Sequence, residues 1–273
     1  MTTHTQDPAP RCKACRDGAS IDFDFTMAFQ PIVNPFNREV YAYEALVRGT
    51  DGAPAGEILR RVNAENLYAF DQACRVKAIE LASELGLVDN GARLSINFLP
   101  NAVYRPETCI RTTLKVARRV GFPTDRLIFE VTEGEQVTNR EHLASIIRSY
   151  KEMGFITAID DFGAGYAGLN LLAEFQPDVL KVDMELTRRV QTDAVRQAIL
   201  RSIVDFCRSL RIKVIAEGIE TIEEMSFLEQ LGIRMFQGYL FARPGFESLP
   251  EPVWPEIPLD PELAESTLAL ARA

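Results

Sequence analysis

Long hydrophobic runs are missing from this sequence. No stretch of about 18 or more apolar residues occurs, so we expect no membrane span. The N-terminal segment MTTHTQDPAPRCKACRDG lacks the apolar core of a secretory signal, which makes the cytoplasm the expected location. An excess of positive charge is missing as well, because 39 acidic and 30 basic residues give a formal net charge of −9. This balance argues against binding to a nucleic acid polymer or an anionic membrane, but it leaves open a small phosphate ligand in a local pocket.

Cysteines are few and odd in number, with five in 273 residues. Cys74, Cys109 and Cys207 fall within apolar or helical patterns and are predicted to be buried thiols. The other two, Cys12 and Cys15, form a CxxC motif in the tail, which is at most half of a zinc site. His4 could add one ligand. The sequence leaves three alternatives open for the motif: no metal, a redox pair, or a metal shared between molecules.

Eight strand-like runs alternate with helical patterns, and several are continuous apolar stretches typical of strands covered on both faces. This alternation predicts an α/β fold, a TIM-like (β/α)8 barrel, with an open α/β sheet as the alternative. Six residues, NPFNRE, separate the first two runs, too few for a parallel crossover. We therefore predict an antiparallel first strand. The predicted strands are 25–33, 40–48, 93–98, 127–132, 156–160, 178–183, 213–217 and 235–241.

The same reasoning sets the domain boundaries. Residues 1–20 are predicted to be a flexible tail with the CxxC motif, and residues 21–245 to be the barrel. Residues 246–273 are proline-rich and are predicted to be an irregular extension that could end in a short helix.

Thr138 and Glu141 form a capping-box pattern at the start of one helix. Two apolar stripes at helical spacing predict further helices: Phe70, Cys74, Ala78, Leu81, Ala82 and Leu85, and Val195, Ile199, Ile203, Phe206 and Leu210.

Polar side chains stand at the end of nearly every predicted strand, where barrel enzymes carry their catalytic groups. Acids clustered at one barrel mouth repel one another unless a cation is present. The strand motifs offer carboxylate and amide oxygens but no histidine or cysteine, a ligand set that favours Mg²⁺ or Mn²⁺ over zinc. The number of carboxylates predicts two ions, which at about 3.5–4 Å separation suit a phosphoryl displacement.

Two of these acids are adjacent, in the stretch FITAIDDFGAGYAGL. Neighbouring side chains of a strand point to opposite faces. We therefore predict that the strand ends at Asp160 and that the glycine-rich segment turns the chain, so that Asp161 serves the same site.

Eight motifs follow one another along the chain: FQPIV, YEALVR, SINFLP, FEVTE, IDDFGAGYAGL, DVLKVD, VIAEGIET and FQGYLFARP. In this order they resemble the motifs of the EAL-domain phosphodiesterases, which hydrolyse the bacterial second messenger cyclic di-GMP. The resemblance runs from Phe25 to Pro244, nearly the whole domain, and implies a stand-alone EAL domain with short extensions. It implies a barrel with an antiparallel first strand, two-metal activation of water, linear pGpG as product and a homodimer.

The resemblance also implies residue roles. Asp160 bridges the two ions, Lys181 orients or polarises the attacking water, and Gln237 lies beside it. Glu133 anchors the loop after Asp161 and couples it to dimer contacts. The implied metal ligands are Glu44, Asn97, Glu130, Asp160, Asp161 and Glu217, and the catalytic set is Lys181, Glu217, Glu44 and Gln237. The implied substrate contacts are Gln30, Leu46, Arg48, Glu220, Phe241 and Pro244.

The sequence departs from a frequent family form only in the loop, where Ala164, Ala167 and Gly168 replace hydroxyl residues. This departure affects loop anchoring rather than metal ligation. The alternative to an active enzyme is a receptor that binds cyclic di-GMP without cleaving it. A regulated module, in which the CxxC tail senses redox state or metal, is compatible with the enzyme.

Overall fold

A computed structural model describes residues 21–132, 140–165 and 168–256. Eight strands of this part of the chain form a closed barrel, and a short ninth pairs at its edge. The eight are β1 Thr26–Asn34, β2 Glu39–Arg48, β3 Arg93–Asn97, β4 Leu127–Thr132, β5 Ile156–Phe162, β6 Val179–Val182, β7 Lys213–Ala216 and β8 Met235–Phe236.

The predicted reversal of the first strand is confirmed. Strands β2 to β8 pair in parallel in chain order, and β1 closes the barrel antiparallel to both β2 and β8. The turn at 35–38 is too short for a crossover, so β1 and β2 form a hairpin. Closure through the β1–β2 pairing makes the alternative of an open sheet wrong.

The end of the barrel sequence differs most from the prediction. β8 stops at Phe236, whereas the prediction extended it to residue 241, because the chain turns at Gly238. A Cβ at Gly238 would lie 2.1 Å from the carbonyl oxygen of Ile219, so this close approach requires glycine. The ninth strand, β9 Gly245–Phe246, pairs antiparallel with β1 and was not predicted.

The helices surround the barrel. Both apolar stripes are helical, but Val195, Ile199 and Leu210 are exposed because the buried face of the second runs through Leu200, Ile203, Val204 and Cys207. In the described segments the helices are α1 Ala55–Leu59, α2 Leu67–Glu84, α3 Leu87–Asn90, α4 Pro106–Cys109, α5 Arg111–Val120, α6 Arg140–Glu152, α7 Gly168–Glu174, α8 Met184–Thr187, α9 Ala194–Leu210 and α10 Ile222–Gln230.

Several predictions fall on residues outside the described segments: the CxxC tail, Thr138 of the capping pair, the loop anchor Glu133 and the terminal helix. Cys109 and Cys207 are buried, as predicted, and Cys74 is half-buried. The described helices include none with the length and apolarity to cross a membrane.

The interior of the barrel is apolar below the site. A small cluster of buried side chains fills its floor and middle: Ile32, Tyr41, Ala42, Ile128, Ala158, Val179 and Ile215. The acids stand next to this layer at the carboxyl ends of the parallel strands. They therefore lie in a medium that penalises unpaired charge.

Candidate active site

The barrel brings the strand-end acids of the sequence together. Glu44 lies opposite Gln30 in the β1–β2 pairing, and Asn97 lies opposite Glu130 in the β3–β4 pairing. Asn97 donates from Nδ2 to Glu44 Oε1 at 3.0 Å. Residues that are far apart in the chain thus meet because their strands are neighbours.

Lys181 occupies the centre of this acidic cluster. It is fully buried on β6, and its ammonium contacts four carboxylates from four different strands or strand ends. The distances from Nζ are 3.1 Å to Glu44 Oε2, 3.0 Å to Glu130 Oε2, 2.9 Å to Asp160 Oδ1 and 2.8 Å to Glu217 Oε1. One positive charge against four negative charges leaves the buried cluster with a deficit of cations.

The excess of negative charge shifts the pKa values of the residues in the cluster. Burial and the charges of Glu44 and Asp160 raise the pKa of Glu130 to about 8, although Lys181 opposes them. Burial also raises the pKa of Glu217 well above its ordinary value. Burial alone would lower the pKa of Lys181, but the surrounding carboxylates raise it well above normal. The ammonium therefore stays charged while part of the acid set is held protonated.

Asp160 and Asp161 reach one site, but not for the predicted reason. β5 runs on to Phe162, and its pairing with β6 is irregular between Ile159 and Phe162. Asp161 sits in this bulge with φ of 54°, a left-handed conformation that aspartate tolerates better than most residues. The strict alternation of side chains is broken there, so the predicted strand end at Asp160 is wrong while the convergence of the two side chains is observed.

The carboxylates form two groups that share Asp160. In each group, one oxygen of every member lies within 4.8 Å of the others; the groups are Glu44, Glu130 and Asp160, and Asp160, Asp161 and Glu217. Hard oxygen donors in excess of nearby cations suit Mg²⁺ or Mn²⁺. Buried Gln237 Oε1, with no hydrogen-bond partner in the described structure, adds an acceptor beside them. The residues present therefore fit divalent cations.

Two glutamine side chains link β1 and β8 to the cluster. Gln237 donates from Nε2 to Glu44 Oε2 at 2.7 Å and to Gln30 Oε1 at 3.1 Å. Gln30 in turn donates to the carbonyl oxygen of Ala242 at 3.1 Å. These bonds fix the side of Glu44 that faces away from Asn97.

A cavity of about 550 Å³ opens onto the acids. This volume lies within the range of about 300–1,000 Å³ that is typical of small-molecule sites. Glu130 and Lys181 are buried behind its lining. The predicted site residues that line it are Gln30, Glu44, Leu46, Asn97, Asp160, Asp161, Glu217, Glu220 and Gln237.

The lining also contains residues that sequence reasoning did not assign to the site, among them Asp71, Arg188 and Tyr239. Arg188 pairs with Glu220 through its two terminal guanidinium nitrogens: Nη1 contacts Oε2, and Nη2 donates to Oε1 at 3.0 Å. This bond from Arg188 lowers the pKa of Glu220. Arg188 follows α8 rather than a strand, so the strand-end rule did not select it. Asp71 adjoins a predicted apolar stripe, and its spacing of four from Arg75 was the available signal.

Three predicted substrate contacts lie outside the cavity lining. Phe241 is 1% exposed and packs against Phe236 with ring centroids 6.4 Å apart, so this packing does not support a role in stacking on a base. Arg48 is half-buried and donates from Nη1 to the carbonyl oxygen of Val47 at 2.7 Å. Pro244 is half-buried near the start of β9.

The fold and the site define a TIM-like barrel with a reversed first strand and a buried acidic centre. Residues 17–244 match the EAL domain family, and the chain belongs to this family.

The chain is similar to two proteins, among others, whose structures have been solved. A standalone versatile EAL protein from Vibrio cholerae O395, in a c-di-GMP bound form, is 53% identical, covers 87% of this chain and 99% of its own, and has a TM-score of 0.83. Klebsiella pneumoniae BlrP1, in a manganese/cy-diGMP complex at pH 9.0, is 37% identical over 87% of this chain and 60% of its own, with a TM-score of 0.79.

One curated relative is named as a regulator of repression. The blue light- and temperature-regulated antirepressor BluF of Escherichia coli K12 is 37% identical over 229 residues, which are 84% of this chain and 56% of BluF. The chain spans about half the length of the curated relatives it matches first.

The acidic cluster predicts how divalent cations change stability with pH. Burial and Asp160 raise the pKa of Asp161 to about 6, and that of Glu130 is about 8, both above the ordinary carboxyl values near 4. The folded metal-free protein therefore holds more protons than the unfolded chain between about pH 4 and 8, so these groups make unfolding easier as pH rises through that window. Bound cations reverse this effect, and stabilisation by Mn²⁺ is expected to grow with pH.

Thermal unfolding in EDTA and in Mn²⁺, at about pH 5.5 and about pH 8, measures this difference. At about 100 times the dissociation constant, binding stabilises by about 2.7 kcal/mol, or about 5–11 °C for a chain of this size. We expect Mn²⁺ to raise the melting temperature by this amount at about pH 8, and by less at about pH 5.5. Equal shifts at both values would show that the cluster is not where the cation binds.

Proposed function

We propose that this protein is a metal-dependent phosphodiesterase that hydrolyses cyclic di-GMP to linear pGpG. One observation carries the proposal: two carboxylate groups share Asp160 at the floor of a cavity, with the ammonium of Lys181 between the acids. The c-di-GMP bound relative and the manganese complex of BlrP1 support the choice of ligand and metal.

The metal ligands in this proposal are those that the geometry groups. Glu44, Glu130 and Asp160 would hold one ion together with Asn97, whose amide already contacts Glu44. Asp160, Asp161 and Glu217 would hold the other. When bound, Mg²⁺ or Mn²⁺ lowers the pKa of water and neutralises charge on the phosphate.

Lys181 has two tasks in the proposal. Its contacts to four carboxylates hold them converged before cations arrive, which lowers the reorganisation needed at the moment of reaction. Its ammonium, which stays charged, orients and polarises the attacking water. Gln237 fixes Glu44 through the bond at 2.7 Å and leaves its own Oε1 free to accept a hydrogen bond from that water.

The substrate would occupy the cavity over the acids. Gln30, Leu46 and Glu220 supply walls that can contact the nucleotide, and Arg188 adds a cation beside Glu220. Arg48 at the end of β2 would donate a forked hydrogen bond to a phosphate oxygen after leaving the Val47 carbonyl. The phosphate itself cannot approach so acidic a floor unless cations are present, so substrate binding and metal binding are expected to be coupled.

The alternative is a module that binds cyclic di-GMP and acts through a partner protein. The relative BluF is named an antirepressor, which is the kind of role that this alternative describes. The complete set of acids and Lys181 favours the enzyme, because a module that only binds does not need an oriented water. The homodimer and the cytoplasmic location remain predictions.

Direct turnover decides between the two. Purified protein with cyclic di-GMP and Mn²⁺ or Mg²⁺ is expected to yield pGpG, and EDTA is expected to stop the reaction. Binding of cyclic di-GMP is measured in parallel in Ca²⁺ and in Mn²⁺. If the protein bound cyclic di-GMP but formed no pGpG with Mn²⁺ and none with Mg²⁺, the result would support the receptor and overturn the proposal of an enzyme.

A further inference from the structure

A buried ion pair stands beside the site on α2. Asp71 and Arg75 are one helical turn apart, and Asp71 Oδ2 lies 2.6 Å from Arg75 Nη2. Their side chains are 1% and 0% exposed to solvent. Asp71 also belongs to the lining of the cavity, so the pair reaches from the core to the site. No predicted catalytic role uses either residue.

The second oxygen of Asp71 holds the segment that follows Asn97. Asp71 Oδ1 accepts a hydrogen bond from the backbone N–H of Leu99 at 2.9 Å. Leu99 is two residues after Asn97, where β3 has ended and the chain turns into the 3-10 helix Pro100–Ala102. The next link is the bond from Asn97 to Glu44. Asp71 is therefore connected to Glu44 through one backbone segment and two hydrogen bonds.

Arg75 fixes Asp71 from behind. Its guanidinium donates to the hydroxyl of Tyr150 at 2.9 Å and lies over three aromatic rings, 5.6 Å from Phe98, 5.4 Å from Phe129 and 6.0 Å from Tyr150. Phe98 directly follows Asn97, and Phe129 directly precedes Glu130. The arginine thus packs against the neighbours of two candidate metal ligands, which keeps the carboxylate of Asp71 in one orientation.

Stability alone is a weak reason for this arrangement. Replacing a buried ion pair by apolar residues of similar volume is often neutral or stabilising, because the charges lose their hydration. Burial raises the pKa of Asp71, although Arg75 opposes it. Asp71 is also the hydrogen-bond acceptor for a backbone N–H at the cavity wall, and an apolar replacement would leave that N–H without this partner.

We propose that Asp71 is a positioning residue: by accepting the Leu99 N–H it holds the segment after β3 in place, so that the Asn97 amide faces the candidate metal site. Arg75 supports this role by fixing the carboxylate. The inference rests on the proposed function, because it assigns Asn97 to the metal site.

Two double variants separate the acceptor from the charges. D71L/R75M removes both charges and the acceptor, whereas D71N/R75M removes both charges but keeps an acceptor oxygen at the same place. Neither variant leaves one buried charge unpaired, so both are expected to fold. Tyr150→Phe is the control for the aromatic side of the network, since it removes the partner of Arg75 but not the Leu99 bond.

Affinity for Mn²⁺, measured by titration calorimetry, is the first readout. D71L/R75M is expected to bind Mn²⁺ about 10–100-fold more weakly than wild type, the loss typical when a ligand's support is removed. D71N/R75M and Tyr150→Phe are expected to stay close to wild type. Hydrogen exchange of the backbone amides of Asn97, Phe98 and Leu99 in the metal-free proteins is the second readout, with faster exchange expected in D71L/R75M alone.

The outcomes distinguish this inference from the proposed function. Mn²⁺ binding by wild type, with unchanged affinity and exchange in D71L/R75M, would overturn the positioning role only. Equal losses in both double variants would also overturn it, since the charges rather than the acceptor would then matter. A wild-type protein that binds no Mn²⁺ would overturn the inference and the proposed function together.

Discussion

Glu44→Ala is expected to reduce turnover of cyclic di-GMP by orders of magnitude. Glu44 contacts Lys181, Asn97 and Gln237 and belongs to the first carboxylate group, so its loss removes a candidate metal ligand and frees three partners. Removing a residue that only supports a ligand costs about 10–100-fold, so losing the ligand itself should exceed that range. Initial rates of pGpG formation, at several Mn²⁺ concentrations, measure the effect.

Glu39→Ala is the matched control, because Glu39 lies on the same strand at the opposite end of the barrel and is exposed. Its activity is expected to equal that of wild type. Circular dichroism checks that both variants fold. Activity of Glu44→Ala near that of wild type would remove Glu44 from the metal site.

Lys181→Met has the second largest expected effect, and it acts on both turnover and stability. The variant keeps four carboxylates in a buried cluster without their ammonium, and breaking a buried pair of this kind costs about 3–5 kcal/mol. Turnover is expected to fall by about 10²–10³-fold, the loss typical when one preorganised electrostatic donor is removed from a site. Mn²⁺ should restore much of the stability, because it supplies positive charge to the same oxygens, but it should not restore turnover.

Denaturant unfolding in EDTA and in Mn²⁺ separates these two effects. Lys151→Met serves as control, since Lys151 pairs with Asp178 at 3.0 Å with both side chains 38% exposed. An exposed pair of this kind contributes at most about 1 kcal/mol. If Lys181→Met turned over normally once Mn²⁺ had restored its stability, Lys181 would be a structural counter-ion only.

The architecture could be predicted because it depends on spacing along the chain. The length of the turn at 35–38 decides the direction of β1, and the apolar runs decide which segments are strands. The convergence of Glu44, Asn97 and Glu130 follows from the same rule, since parallel neighbours bring their carboxyl ends to one mouth.

Features that depend on tertiary contact could not be read from the sequence. The bulge at Asp161 comes from pairing between β5 and β6, and nothing in the apolar run before it marks the change. Phe241 looked available to a ligand, but the turn at Gly238 buries it against Phe236. Asp71 looked like an ordinary helical residue, because its partner Leu99 is 28 residues away in the chain.

The reversed first strand also decides where the polypeptide enters the domain. Thr26, the first residue of β1, lies opposite Arg48 at the carboxyl end of β2, on the side of the barrel that carries the acids. Any polypeptide joined before residue 21 is consequently attached beside the cavity and not at the opposite floor. A domain fused at that point would be joined to the polypeptide that borders the candidate active site, so its linker would reach the cavity without crossing the barrel wall.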